Sequence, residues 1–206
     1  MAMLRQRCLS LGLAALLAAG AEASLAEATP RQLIEQTTGE FLAEVARRRE
    51  AILQNSGRVE ELVQRLVMPH VDVDTVGRWM LGKHWRNATP EQRQRFVDEL
   101  RSMLVRSYAA ALAEYNRGDE IRYLAERVAD DGNTATVRTQ IPRPQGSQFA
   151  DVVYRLHRKD GAWKIFDVTV EGVSVVVTYR NTFLNGIERH GLDAVIRELA
   201  ELNRKN

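Results

Sequence analysis

The 206-residue sequence predicts an α+β fold. A four-stranded, curved antiparallel meander is expected, with helices from both ends of the chain packed over it. Three observations carry this. Apolar residues recur at helical spacing up to about residue 116. The period drops to two between Glu120 and Val170. It returns to helical spacing from about Ser174 onward.

Residues 1–23 read as a secretory signal peptide and stand apart from the fold. Arg5 and Arg7 make a basic start, Cys8 to Ala19 is uncharged and apolar, and Ala21-Glu22-Ala23 is a small-x-small cleavage site. Cleavage after Ala26 fits the same pattern. The apolar run is about half of the roughly 20 residues that span a bilayer. Residues 24–206 then form a single domain, because no linker, repeat or low-complexity segment divides them.

The first helix opens at Thr29-Pro30-Arg31-Gln32. Thr29 can cap, Pro30 suits the first helical position, and Gln32 can reach back to the cap. Leu33, Thr37, Phe41 and Val45 follow as its stripe, and Asn55-Ser56-Gly57 breaks the run. Val59, Leu62, Val63 and Leu66 make a second helix, closed by Met68-Pro69. Asp72 can cap a third, carrying Val73, Val76 and Met80, with Gly82 at its end. Thr89-Pro90-Glu91-Gln92 repeats the first capping pattern and opens the longest helix, about residues 90–116. Its stripe is Phe96, Leu100, Met103, Leu104, Tyr108, Ala111, Leu112 and Tyr115.

Past Gly118 come the strands. Glu120–Val128 is the first. Ala135, Val137, Thr139 and Ile141 alternate in the second, Val152, Tyr154 and Leu156 in the third, and Phe166, Val168 and Val170 in the fourth. Asp131-Gly132-Asn133, Pro144-Gln145-Gly146 and Asp160-Gly161 are the turns. Glu171-Gly172 ends the last strand. A helix from about Ser174 to Arg189 follows, then Gly191, then a final helix through Leu192, Val195, Ile196, Leu199 and Leu202.

Composition excludes several function classes. Lys plus Arg total 29 and Asp plus Glu 27, a net charge of +2, which falls to +1 without the signal peptide. That balance gives no support to nucleic-acid binding. Cys8 is the only cysteine, so the remaining chain has no disulfide framework, thiolate metal site or catalytic thiol. The four histidines, His70, His84, His157 and His190, have no zinc spacing. There is no Gly-rich phosphate loop and no nucleophile elbow. Asp72 and Asp74 read as a helix N-terminus favoured by negative charge. Asp167, inside an apolar strand, is the one candidate base: it either faces a cavity or pairs with an Arg on the outer face.

Three blocks carry a family resemblance. The first is Leu81-Gly82-Lys83-His84-Trp85-Arg86 with Thr89-Pro90-Glu91-Gln92-Arg93 and Phe96. The second is Trp163-Lys164-Ile165-Phe166-Asp167-Val168 running into Glu171-Gly172-Val173-Ser174. The third is Gly191-Leu192-Asp193-Ala194-Val195. In this order, across about residues 30–204, they resemble the MlaC family, the toluene-tolerance family of periplasmic phospholipid-binding proteins. The resemblance implies a soluble periplasmic carrier that shuttles phospholipid between outer and inner membrane and maintains outer-membrane lipid asymmetry. It implies an apolar cavity between sheet and helices, with phospholipid as cargo and no cofactor. The implied partners are an inner-membrane ABC transporter with an MCE-domain ring and an outer-membrane lipoprotein–porin complex. A monomer is expected.

A carrier needs apolar lining rather than catalytic groups. The candidates are Val137, Tyr154, Phe166, Val168 and Val170 from the strands, and Val173 and Val177 from the turn into the next helix. Tyr108 and Leu112 come from the long helix, Met80 and Leu81 from the third. A filled core needs the same residue types, so two other readings stay open here. One is a small-molecule enzyme on a cone-shaped α+β scaffold with Asp167 as base. The other is a ligand-free envelope protein docking through the Arg-rich long helix.

Overall fold

The computed structural model describes residues 28–205, apart from 56, 114–119 and 144–147. The signal peptide, Tyr115, Gly118 and the Pro144-Gln145-Gly146 turn lie outside the described residues. The helices are α1 (Pro30–Arg47), α2 (Arg49–Gln54), α3 (Gly57–Leu62), α4 (Val73–Leu81), α5 (Lys83–Asn87) and α6 (Pro90–Ala113). The strands β1 (Arg122–Val128), β2 (Thr134–Pro142), β3 (Phe149–Lys159), β4 (Ala162–Val170) and β5 (Val173–Ser174) follow. Helices α7 (Val175–His190) and α8 (Leu192–Lys205) close the chain.

Both Thr-Pro helix starts fold as capping boxes. Thr29 Oγ1 accepts from the Gln32 amide at 3.2 Å, and Gln32 Oε1 accepts from the Thr29 amide at 2.9 Å. Thr89 and Gln92 repeat this at 3.2 and 3.0 Å. Between α3 and α4 the chain passes through a π-helical turn (Val63–Val67) and a 3₁₀ turn (Met68–His70). The short helix α5 was not expected. Gly82, at φ +52°, ends α4 and turns the chain straight into it.

The sheet is antiparallel in the order β1-β2-β3-β4-β5. It has one strand more than expected. Glu171-Gly172 turns the sheet instead of ending it: both residues have positive φ, +50° and +80°. The same two-residue geometry, Asp160 at +52° and Gly161 at +78°, joins β3 to β4. The strand β5 is only two residues long because Ser174 already caps α7, its hydroxyl accepting from the Val177 amide at 3.1 Å.

Two apolar clusters form. One lies among the helices, with Phe41, Leu62, Met80, Leu81, Phe96, Leu100, Phe183 and Ile196 at its heart. The other lies on the sheet: Ala135, Val137, Leu156, Trp163 and Ile165, covered by Ile34. Helix α1 serves both, giving Ile34 to the sheet and Phe41 and Val45 to the helices. Its stripe therefore turns on Ile34 where Leu33 was expected; Leu33 packs at the margin of the sheet cluster. In α8, Leu202 is exposed and Asn203 is buried instead, donating to the Glu99 carbonyl at 2.9 Å and to Glu99 Oε2 at 2.7 Å.

Candidate functional site

The register of the sheet builds the site. Residues paired across antiparallel strands present their side chains on the same face. Ala135, Leu156 and Ile165 form one row. Val137, Tyr154 and Val168 form the next. The third crosses all five strands: Tyr123, Thr139, Val152, Val170 and Val173. Together they make an apolar ladder on the face where α1 lies.

The ladder opens toward β5. Val137 and Thr139 are each 1% exposed and Val152 6%, whereas Val170 is 38% and Val173 61% exposed. Val177, in the first turn of α7, is 54% exposed. Exposed valines continuous with a buried row make this end of the ladder the candidate binding surface. A polar rim borders this end. The Asp151 amide donates to Glu171 Oε1 at 2.7 Å, and Arg143 lies 3.4 Å from the same carboxylate.

The fourth strand departs from strict alternation. The register slips between β3 and β4, so that Arg155 faces Asp167, Leu156 faces Ile165 and Phe166 is the extra residue. This β-bulge turns Phe166 to the reverse of the ladder. There its ring lies 5.3 Å from Trp79 and 5.2 Å from His157, with the Arg155 guanidinium 5.0 Å above it. Phe166 thus does not share a face with Val168 and Val170, as simple period-two reading expects.

Two buried carboxylates also sit on the reverse side. Asp167 is 5% exposed. Ser174 Oγ is 2.9 Å from both of its oxygens, the Val176 amide donates at 3.3 Å, and Arg155 lies 3.9 Å away. These partners tie β4 to the start of α7, so Asp167 takes the Arg-paired alternative and serves a structural role. Asp72 caps α4 as expected, accepting from the Thr75 amide and hydroxyl at 3.2 and 2.7 Å. It also accepts from Lys159 Nζ at 2.8 Å and contacts His157 Nε2 at 2.9 Å. Burial disfavours its charge, but the hydrogen bonds from Lys159 and Thr75 outweigh this and hold its pKa at about 2. The Asp72 amide donates to the Ile165 carbonyl at 2.9 Å, completing a seam between helices and sheet.

Comparison with known proteins decides the family. Residues 35–201 match the family described as MlaC protein. The chain belongs to the MlaC family. It is 32% identical over 183 residues to the toluene tolerance protein ttg2D of Pseudomonas putida, covering 88% of this chain and 84% of that protein. It is 23% identical over 182 residues to the intermembrane phospholipid transport system binding protein MlaC of Haemophilus influenzae, covering 86% and 84%. The solved structure of the phospholipid-binding protein from Ralstonia solanacearum, in complex with a phospholipid, superposes with a TM-score of 0.77. The two are 27% identical, over 87% of this chain and 98% of that one.

Within this MlaC-family fold the expected lining residues divide into groups. Val137, Tyr154, Val168, Val170 and Val173 share the ladder, and Val177 is exposed in the first turn of α7, which follows β5 directly. Met80 and Leu81 are fully enclosed in the helical cluster, away from the ladder. Tyr108 is half-buried on α6, where burial and the neighbouring Tyr179 push its hydroxyl up to about 12. The Leu112 side chain lies outside the described residues. Sequence reading passed over Val152 and Thr139, although both belong to the same alternation as Tyr154 and Val137. Two hollows bounded by described residues, about 430 and about 320 Å³, are lined largely by charged and polar groups such as Glu44, Arg48 and Glu188, and neither touches the ladder. Among the described residues no group of His, Cys, Asp and Glu is placed to hold a metal ion. No described helix is long and apolar enough to cross a membrane.

Proposed function

We propose that this MlaC-family chain is a phospholipid carrier. It holds acyl chains against the ladder and leaves the head group near water at the Val170–Val173 end. The observation that supports this most is the single row from buried Val152 through Val170 to open Val173. The likeness to a protein solved with a phospholipid supports phospholipid as the cargo. Residues 1–23 act as a cleaved signal peptide that delivers a monomeric 24–206 domain to the periplasm. The chain exchanges lipid with an inner-membrane ABC transporter bearing an MCE-domain ring and with an outer-membrane lipoprotein–porin complex. It catalyses no reaction and needs no cofactor or metal.

The energetics suit a shuttle. Two acyl chains carry about 30 methylenes, worth roughly 24 kcal/mol against water at ~0.8 kcal/mol each. That exceeds the practical ceiling of about 18–21 kcal/mol for non-covalent affinity. The bilayer, which solvates the same chains, is therefore the true competitor. A carrier nearly matches it, and the membrane partners tip the exchange toward inner or outer membrane.

Transfer of fluorescent phospholipid between donor and acceptor vesicles tests this. The unaltered protein should speed transfer, and Val170→Asp should abolish the effect. Equal transfer with and without the unaltered protein would contradict the proposal.

A further inference from the structure

The reverse of the ladder is an arginine face on a nearly neutral chain. Arg127 and Arg155 flank Thr136 in one cross-strand row, Arg138 sits in the next beside Val153, and Arg122 lies opposite Gln140 in the one after. Arg122, Arg127, Arg138 and Arg155 are all exposed. Arg127 and Arg138 have no ion-pair or hydrogen-bond partner among the described residues. The carboxylates on this side offset them only in part: Asp167 is buried against Ser174 and Arg155, Asp72 is buried against Lys159 and His157, and Asp151 keeps its charge while accepting from the Gln140 side-chain amide at 3.0 Å. Aromatic rings bracket the face. Arg122 stacks 3.9 Å over Phe149 at one end, and Arg155 lies 5.7 Å over Trp79, itself 44% exposed, at the other.

We propose that this outer face of β1, β2 and β3 docks an acidic protein surface. Arginine and exposed aromatic side chains together are the composition of interface centres. Exposed guanidinium groups spread over three adjacent strands, those of Arg127 and Arg138 unpaired among the described residues, match carboxylates presented over a similar area, and such complementarity sets encounter rate and register. A protein occupant fits better than a bilayer because the ladder opens on the opposite face. A membrane docked on the arginines would leave Val170 and Val173 pointing away from it. This choice of partner rests on the carrier reading; the charge on the face does not.

Poly-L-glutamate is the probe, with binding followed at low and at physiological salt. The unaltered protein should bind it at low salt and lose it as salt rises. The pair Arg127→Glu and Arg138→Glu should weaken binding about tenfold or more. The control pair Arg95→Glu and Arg197→Glu, with the same charge change on the helical side, should weaken it less than about twofold. No binding by the unaltered protein, or equal loss in both pairs, overturns the proposal. Vesicles of phosphatidylglycerol and phosphatidylethanolamine form the second arm. Vesicle binding that the Arg127/Arg138 pair abolishes, with poly-L-glutamate binding unchanged, also overturns it and assigns the face to a membrane. Extraction of each variant separates the two readings: absence of phospholipid from the unaltered protein sinks the carrier, while face-specific poly-L-glutamate binding stands independently.

Discussion

Val170 and Val173 lie directly opposite each other across the Glu171-Gly172 turn, at the exposed end of a row whose other members are mostly buried. A two-residue turn with both φ values positive is what permits this pairing. Without it the sheet would end at β4, and the third row would stop at Val170 without Val173. The turn thus places two valines at the open end of the ladder, where the proposed carrier would take up its ligand.

Val173→Glu should abolish phospholipid co-purification. Val173 is 61% exposed, so stability should change by less than about 0.5 kcal/mol. Lipid extraction paired with thermal unfolding checks both halves. A folded variant that retains phospholipid would remove Val173 from the entrance.

Leu156→Ala should behave in the opposite way. Leu156 is fully buried in the first row of the ladder, next to Ile165. Its truncation should cost about 2–5 kcal/mol in urea unfolding, as for other buried leucines. Each folded molecule should still carry phospholipid. The contrast with Val173 separates the packed end of the ladder from its open end.

These two residues show how much of the molecule the sequence discloses. The Thr29 and Thr89 capping boxes, the Asp72 cap and the meander are legible because each is local: a few side chains meet their own backbone within one turn. The Phe166 bulge is not legible, because one inserted residue leaves the apolar pattern of β4 unchanged while reversing a face. Met80 and Leu81 belong to an apolar stripe in either reading, and only packing separates a filled helical core from a lining. The arginine face is invisible in net charge, since acidic residues elsewhere cancel it.

Asp72 should make stability sensitive to acid. Its pKa is about 2 in the folded chain against an ordinary 3.8. A depressed carboxylate contributes stability that is fully present above about pH 4 and is lost as pH falls toward 2. The contribution is about 2 kcal/mol. Asp72→Asn should lower stability at neutral pH and flatten this acid limb, as read by urea unfolding at several pH values. An unchanged limb would show that the seam with Lys159 and His157 contributes nothing.

Ser174→Ala should cost about 1–2 kcal/mol. It removes the α7 cap and the hydroxyl that serves both Asp167 oxygens. Ser174→Thr keeps a hydroxyl and should recover most of the loss in the same unfolding assay. Failure of threonine to recover any stability would show that the hydroxyl is not what holds β4 to α7.

The central claim is that the ladder holds phospholipid, and native mass spectrometry of the purified protein, followed by lipid extraction, tests it most directly. The account predicts a stable added mass that extracts as phospholipid and disappears in Val173→Glu. A bare protein mass, unchanged after incubation with phospholipid vesicles, would contradict it.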